Sequence, residues 1–476
     1  MRGGWIGPAA LALTLALGNG ALAQEVVTKQ YDDGSVYEGT FKNGRQHGMG
    51  TYTLPNGYSY SGEWVEGEIQ GKGMARYPDG SVYEGEFVKG KPSGNGKITF
   101  PDGGTYEGQW TDGAITGSGK ATYANGAVYV GAFVAGKHQG RGVMTEATGT
   151  KYEGDWVEGV KEGKGRITYA DGTVFEGMLK AGQREGQGKL TMPDGLTYDG
   201  NWQGGQINGQ GKLTQPDGDV YEGAFKDGQR HGQGRVTYAN GDVYEGAFEA
   251  DKRQGKGKFT AKDGTTYDGD WVAGRMEGQG RMTYADGAVY EGAFKADQPE
   301  GIGKITYADG ANYQGAWIKG AFGGMGRAVY ASGMIYEGEF VGGKPEGVGK
   351  ATYPDGYVYE GQWKAGQREG QGTATYKDGT VYKGAFTAGQ RNGKGVLTTP
   401  DGFVYDGDWK AGVIEGQGRA TYPGGDVYEG SFVAGKREGQ GRLSYKAGDV
   451  AEGVWKNGIL TAPAPAPAAP AENSGG

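Results

Sequence analysis

The sequence predicts an all-β fold, a single-layer antiparallel β-meander of 23-residue hairpin repeats that is drawn out into an elongated, twisted ribbon. An aromatic-x-Gly phrase returns every 23 residues from Tyr37 to Tyr428 without one insertion or deletion. The segment SVYEGTF (35–41) alternates like a strand, and GMGTYTL (48–54) has the pattern of its partner. Connections this short permit only antiparallel neighbours. Because a bulge in one unit would break the common register, we expect every unit to share one backbone path.

Residues 1–23 have the pattern of a secretory signal peptide. Arg2 provides a short positive region, WIGPAALALTLAL (5–17) an apolar stretch, and Ala21-Leu22-Ala23 a small-residue cleavage site. The apolar stretch is shorter than the about 20 residues that a membrane anchor requires. We therefore expect an exported bacterial protein, periplasmic or extracellular.

The mature chain divides into an array of about 19 repeats (24–460) and a tail (461–476). The tail, TAPAPAPAAPAENSGG, is predicted to be extended and disordered. The chain has no cysteine, so its stability has to come from packing and strand pairing. Its formal net charge of −8 argues against nucleic-acid binding.

Alternation along the strands predicts one aromatic face. It places Tyr37, Gly39 and Phe41 on that face together with both glycines of the following Gly-x-Gly, Gly48 and Gly50. Glycine weakens a strand unless a neighbouring ring covers the bare backbone. We therefore expect successive rings to lie over the glycines and to line a groove.

The opposite face is predicted to carry charge pairs. Glu38 and its equivalents are acidic in 15 of 19 units, and the position of Thr51 is basic in 13 of 18. Three of the four units that lack the acid, those of Ser61, Val130 and Lys383, lack the base as well. Joint loss indicates that the two positions lie opposite each other across the hairpin. The carboxylates are therefore interpreted as a solvated ion-pair ladder and not as catalytic groups.

A second period of 46 residues lies over the first, because Phe41 and Trp64 begin an alternation of Phe and Trp along the chain. Large and small rings in turn suit a groove in which adjacent indoles would collide. The alternation slips once, between Phe225 and Phe248.

The segments YEGEFVKGKPSGNG (83–96) and YEGAFKDGQRHGQG (221–234) resemble the MORN repeat, the membrane occupation and recognition nexus motif. The resemblance covers residues 31–458. It implies an extended antiparallel sheet with an aromatic-lined groove, in a family whose members mostly act as scaffolds, dimerisation modules or membrane-associated structural elements. Catalytic members of the family are similar to this chain only in the repeats.

Two functions stay open on the residues alone. One is a structural protein that presents its groove and edges to protein partners. The other is a glycan- or lipid-binding module in which exposed indoles stack on sugars, because rings that pack on glycine and rings that bind sugar look alike in sequence. The candidate groove residues are Trp64, Trp110, Trp156, Trp202, Trp271, Trp317, Trp363 and Trp409.

The loops that follow Phe or Trp are predicted to share one edge of the sheet and to lean on an anionic envelope surface. Solubilising charge is the alternative interpretation. The candidate cations are Arg45, Lys91, Lys137, Arg184, Arg230, Arg253, Lys344, Arg391, Lys436 and Arg437. Apolar loop tips are expected between them, at Ile69, Ile115, Val160, Ile207, Met276, Phe322 and Ile414.

No motif indicates an enzyme, a cofactor or a metal site. The Gly-x-Gly phrases precede strands, whereas a phosphate cradle requires a helix N-terminus. His47, His138 and His231 are interpreted as exposed turn residues of separate hairpins. The expected partners are proteins, with an anionic envelope surface as a further candidate. VVTKQY (26–31) is an end strand that could pair with a second copy.

Overall fold

A computed structural model describes residues 25–464. The predicted signal peptide and the tail from residue 465 onward lie outside this range. All regular structure within it is β-strand, 39 strands in all and no helix. The chain divides into two units between Gly209 and Gln210, inside β17 (Gln206–Thr214). The predicted all-β fold is confirmed.

The first unit is an antiparallel meander in which each strand pairs with its neighbours in the chain. Its strands are β1 (Val27–Gln30), β2 (Val36–Lys42), β3 (Arg45–Thr53), β4 (Ser59–Val65), β5 (Glu68–Arg76), β6 (Val82–Val88), β7 (Lys91–Thr99), β8 (Thr105–Thr111), β9 (Ala114–Thr122), β10 (Val128–Val134), β11 (Lys137–Thr145), β12 (Lys151–Val157), β13 (Val160–Thr168), β14 (Val174–Lys180), β15 (Gln183–Thr191) and β16 (Thr197–Gln203).

The second unit repeats the same arrangement. Its strands are β18 (Val220–Lys226), β19 (Gln229–Thr237), β20 (Val243–Glu249), β21 (Lys252–Thr260), β22 (Thr266–Val272), β23 (Arg275–Thr283), β24 (Val289–Lys295), β25 (Gln298–Thr306), β26 (Asn312–Ile318), β27 (Ala321–Val329), β28 (Ile335–Val341), β29 (Lys344–Thr352), β30 (Val358–Lys364), β31 (Gln367–Thr375), β32 (Val381–Thr387), β33 (Gln390–Thr398), β34 (Val404–Lys410), β35 (Val413–Thr421), β36 (Val427–Val433), β37 (Lys436–Ser444), β38 (Val450–Lys456) and β39 (Ile459–Pro463). Because β39 runs to Pro463, the first three residues of the predicted tail belong to a strand.

Two kinds of turn alternate along each unit. Asn43 and Gly44 close a two-residue turn with φ of 52° and 73°, the left-handed values of a type I′ hairpin. The next turn is longer, and the Gly57 amide donates to the Leu54 carbonyl at 3.1 Å. Since consecutive strands run in opposite directions, the short turns form one edge, here called the loop edge. The long turns form the other, here called the Asp-Gly edge.

Every hairpin that closes through a short turn within a unit contains a bulge, which strict alternation did not predict. In the first hairpin Gly39 pairs with Gly50, but Phe41 pairs with Gln46 and not with Gly48. Gly48 has a φ of 85°. The prediction that both glycines of the Gly-x-Gly share the aromatic face is therefore wrong, because the bulge at the first glycine reverses the alternation there. Because every unit contains the same bulge, the units still share one register.

The predicted register of the charged face is confirmed, since Glu38 lies opposite Thr51 and Glu84 opposite Lys97. Some of the short ion pairs, however, join a base to the acid of the following strand. Arg281 lies 3.0 Å from Glu291, although its partner across the hairpin is Asp268. The Arg281 and Glu291 side chains are 57% and 61% exposed, so the pair is solvated.

Candidate functional site: the aromatic face and the loop edge

The aromatic face is built on a tyrosine ring that lies over a pair of glycines. Tyr37 is fully buried, and a Cβ on Gly39 would stand 2.5 Å from its hydroxyl oxygen. That hydroxyl donates to the Thr40 carbonyl at 3.1 Å. Thr40 stands at the bulge and has no partner in the register of the hairpin. The bulge thus supplies the acceptor that a buried tyrosine requires.

Phe and Trp rings close the face between successive hairpins. Tyr37 meets Phe41 of its own hairpin at 5.1 Å and Trp64 of the next at 5.3 Å, both edge to face. The Trp64 indole donates to the Gly50 carbonyl at 3.2 Å. At the slip in the alternation, Tyr221 meets Phe225 and Phe248 at 5.0 and 5.2 Å, so a phenyl ring takes the place of an indole without a change of arrangement.

The candidate groove residues are buried, although the sequence allowed them to form an exposed stacking surface. Their exposed fractions are only 2–7%. An indole with a covered face cannot stack on a sugar. The residues concerned are Trp64, Trp110, Trp156, Trp202, Trp271, Trp317, Trp363 and Trp409.

Half of the candidate cations lie on the aromatic face and not on the loop edge. The Arg253 guanidinium carbon stands 4.0 Å from the Trp271 ring centroid, and Nη2 donates to the Gly274 carbonyl at 2.8 Å. Each such arginine packs on an aromatic ring of the next hairpin, and each donates to a carbonyl of the next short turn. The five are Arg184, Arg230, Arg253, Arg391 and Arg437.

A sixth arginine of this kind was not among the candidates. Arg368 stands 5.6 Å from the Phe386 ring and donates to the Gly389 carbonyl at 2.5 Å. The sequence identifies Arg368 by its position within the repeat, which is one residue after the position that Arg45 holds in its own repeat. Odd and even positions in a strand face opposite sides, so Arg45 and Arg368 differ in environment although both follow a turn.

The other five cations are exposed on the loop edge. Lys137 forms an ion pair with Glu158 at 2.6 Å, and Lys91 approaches Asp112 at 3.7 Å. Exposed pairs of this kind contribute little to stability. The five are Arg45, Lys91, Lys137, Lys344 and Lys436.

The predicted apolar loop tips mostly face inward. Phe322 stacks on Tyr313 with ring centroids 3.9 Å apart, and Ile69 pairs with Trp64. Only Val160 remains at the turn, 43% exposed. The expected alternation of cation and hydrophobe along the loop edge is therefore not formed.

The prediction that the three histidines are exposed turn residues is wrong, because His47, His138 and His231 are half-buried in strands β3, β11 and β19. His138 packs among aromatic rings. Its ring stacks on Tyr129 at 3.7 Å, and Nε2 lies 2.6 Å from the Tyr123 hydroxyl. Burial lowers the pKa of His138. Among residues 25–464 there is no cluster of three or more potential metal ligands and no helix able to span a bilayer.

Solved structures that match the chain do so at low similarity. They include the TCP domain of Drosophila melanogaster SAS-4 in complex with a proline-rich motif of Ana2, at 16% identity over 42% of this chain and 90% of that chain, with a TM-score of 0.19. They also include the wild-type TCP10 domain of Danio rerio CPAP, at 14% identity over 56% and 99%, with a TM-score of 0.14. A streptogramin B lyase matches at 13% identity over 65% and 88%, with a TM-score of 0.10. Scores this low carry no argument about this protein.

No curated protein matches the chain by sequence. The model of the MORN repeat, in contrast, matches 18 consecutive repeats between residues 37 and 450. The nineteenth unit, in which Ala451 replaces the tyrosine, is not matched, although β38 and β39 still pair as a hairpin. The chain therefore belongs to the MORN repeat family.

Proposed function

We propose that this protein is a non-enzymatic scaffold of the bacterial cell envelope that holds protein partners along its repeat array. MORN repeats are in general modules for protein or membrane association. The observation that carries the proposal is that the hairpins of each unit are copies of one another, with the same turns, bulge and register. Such copies offer equivalent attachment positions at a fixed step of about 9.6 Å, two strand spacings.

Partners that bind the strand edges and turns fit this geometry better than ligands that stack on rings. The tyrosine rings are covered by Phe and Trp. Every indole nitrogen in the array except that of Trp156 donates to a backbone carbonyl, as Trp271 does to Gly257 at 2.9 Å. The groups left for contact are the turns, the charged face and the half-exposed aromatics near the Asp-Gly edge. Surfaces of this mixed character are typical of protein interfaces.

An anionic envelope surface is the less favoured partner. Of the ten cations that were candidates to contact such a surface, five pack on aromatic rings as Arg253 does on Trp271. Lys91 and Lys137 have acidic neighbours. Export from the cytoplasm, on the strength of the pattern in residues 1–23, is part of the proposal.

Association between copies through an end strand is also part of the proposal. All four residues of β1, Val27–Gln30, are exposed. Within residues 25–464, β1 pairs with β2 alone. An open strand edge is a template for pairing with another chain.

In-register deletion tests the scaffold. Removing residues 267–312 deletes one 46-residue period and joins Thr266 to Tyr313, which occupies the repeat position of Tyr267. Removing residues 83–128 does the same in the first unit. We expect both proteins to fold and each to retain most of the envelope proteins that cross-link to the full chain, as counted by quantitative mass spectrometry. Loss of all association from either deletion would contradict a distributed scaffold.

A further inference from the structure

One row of tyrosines near the Asp-Gly edge is not used by the core. These residues directly follow the second strand of five successive hairpins, and they are here called the rim: Tyr284, Tyr307, Tyr330, Tyr353 and Tyr376. All five rings are partly exposed, Tyr307 to 38%. Their hydroxyls form no hydrogen bond within residues 25–464, unlike the hydroxyls of the core tyrosines. A half-exposed ring with a free hydroxyl is suited to bind an apolar ligand that also carries carbonyl groups.

The rim has the period of a polyproline II helix. Successive rim residues are one hairpin apart, about 9.6 Å from the spacing of two strands. The Tyr357 ring lies between two rim rings, 5.2 Å from Tyr353 and 5.1 Å from Tyr376, so these two are no more than about 10 Å apart and the space between them is filled. Between the first three rim residues the repeat position of Tyr357 is held by the small residues Ala288 and Ala311. A polyproline II helix has three residues per turn and rises 3.1 Å per residue, so it presents the same face about every 9.3 Å. Four rim steps therefore match about four turns of such a helix.

In the first unit, a cleft lies between two residues that hold the same repeat position as the rim residues. Phe100 and Tyr123 occupy the same repeat position as the rim residues, and between them is a cleft of about 170 Å³. Ile115 and Phe133 contribute to its wall. An apolar cleft between two aromatic residues is the kind of groove that takes a proline ring.

The turns beside the rim are acidic. Asp286, Asp309, Asp355 and Asp378 each use one carboxylate oxygen to accept a backbone amide of their own turn, at 2.9 Å. None of the four forms an ion pair within the described part of the chain, and Lys377 is the one base among these turns. A ligand with basic residues would therefore find complementary charge along the rim.

We propose that the rim docks a proline-rich segment of a partner protein, in the polyproline II conformation and carrying lysine or arginine. The inference rests on the proposed scaffold function and names the chemistry of the partner. The rings supply the apolar contacts, the tyrosine hydroxyls donate to the carbonyls that this helix leaves unbonded, and the turn carboxylates pair with the bases.

Calorimetric titration of the mature full-length protein tests the proposal. The probe is a peptide of about twelve prolines, about 37 Å long as a polyproline II helix, with lysines at both ends. A peptide of equal length and charge with Gly and Ser in place of Pro is the control ligand. We expect the proline peptide to bind and the control peptide not to bind. Equal binding of the two would show attraction by charge alone and would overturn the proposal, as would no binding of the proline peptide.

Matched variants locate the site. Tyr307→Ser with Tyr330→Ser interrupts the rim, whereas Tyr169→Ser with Tyr238→Ser alters two tyrosines of the same repeat position that have no aromatic neighbour in the row. The rim variant should bind the probe about tenfold more weakly or worse, as expected when contact aromatics are truncated, and the control variant should bind it as the wild type does. Equal loss in both variants would contradict the assignment. If the rim variant does not fold, Asp309→Asn with Asp355→Asn should weaken binding and reduce its salt dependence, and unchanged binding would overturn the proposal.

A peptide of residues 461–476 distinguishes a partner protein from another copy of this chain. This segment is rich in proline but has Glu472 and no base. We expect it to bind more weakly than the lysine-flanked probe, and tighter binding would make a second copy the occupant. If the proline peptide does not bind but the deletion proteins still associate with envelope proteins, only the proposal for the rim is overturned. Loss of association from either deletion would instead remove the scaffold.

Discussion

The ring of Tyr244 lies directly over the backbone of Gly257, so that a Cβ on this glycine would stand 2.7 Å from ring carbons Cε2 and Cζ. Gly246 pairs with Gly257 on the partner strand, and a Cβ on Gly246 would stand 2.6 Å from the Gly257 Cα. The tyrosine is fully buried. Two absent side chains thus make the space in which a one-layer sheet buries a large ring.

Substitution of Gly257 by alanine should therefore be strongly destabilising. The Cβ would displace the Tyr244 ring or push the two strands apart, and we expect a loss of about 3 kcal/mol in the local free energy of opening. Because long repeat arrays do not unfold as a single unit, the measurement is hydrogen exchange by mass spectrometry over β20 and β21.

Gly424→Ala is the matched control. A Cβ on Gly424 would have no atom within 4 Å, and the residue does not have a left-handed φ. We expect no loss in the free energy of unfolding. A gain of a few tenths of a kcal/mol would follow from the reduced freedom of the unfolded chain. Equal effects of the two substitutions would show that the ring does not depend on the bare backbone.

Phe175→Tyr should stabilise the first unit. Phe175 is the one position from 37 to 428 where the core tyrosine is a phenylalanine. The Tyr152 hydroxyl donates to the Asp155 carbonyl three residues on, at 2.8 Å, and the Met178 carbonyl is the corresponding acceptor for a hydroxyl at residue 175. We expect a gain of about 1 kcal/mol from the new hydrogen bond and a similar loss for Tyr152→Phe. Faster hydrogen exchange over β14 and β15 in the Phe175→Tyr protein than in the wild type would contradict this geometry.

The array should lose stability in alkali. Burial raises the pKa of Tyr83 and of Tyr244 to about 12, from 10.0 for an unperturbed phenol. The folded state therefore disfavours the phenolate. The contribution of these protonated tyrosines to the free energy of unfolding is complete below pH 10 and is lost as the pH rises toward 12. Melting temperatures measured across that window should fall together with the appearance of tyrosinate absorbance. Tyrosines that ionise near pH 10 while the melting temperature stays constant would contradict the burial.

Arg253 and Lys344 should respond differently to replacement by glutamine, although both belong to the predicted basic edge. Arg253→Gln removes the contact with the Trp271 ring and the bond to the Gly274 carbonyl, and we expect a loss of about 1–2 kcal/mol. Lys344 is exposed, and its replacement should change stability by less than about 0.5 kcal/mol. The measurement is hydrogen exchange over β21 to β23 and over β28 to β29. Equal effects would place Arg253 in solvent.

The register of the hairpins could be predicted because the positions of Glu38 and Thr51 vary together from unit to unit. The bulge could not, because strict alternation assumes one residue per step on both strands, and Gly48 breaks it with a left-handed φ. Gly71 and Gly73 of the next hairpin look equivalent in sequence, but a Cβ on Gly73 would meet the Tyr60 ring, whereas a Cβ on Gly71 would meet the Glu63 side chain.

The candidate site was harder to predict because a difference of one residue decides between solvent and core. Arg45 and Lys137 follow the turn directly and are exposed, whereas Arg253 comes one residue later and lies on Trp271. Aromatic spacing showed where the indoles lie along the chain but not whether their faces are covered, because coverage depends on the next hairpin.

The accessibility of the tryptophans of the repeat array tests the closed aromatic face most directly. Residues 25–464 contain nine of the ten tryptophans, and each of the nine is no more than 7% exposed. Acrylamide quenching of the folded protein should give a blue-shifted emission with little quenching, because the indoles form the core of the aromatic face. Emission at the wavelength of free tryptophan with strong quenching would show an open groove and would contradict the closed face on which the scaffold proposal depends.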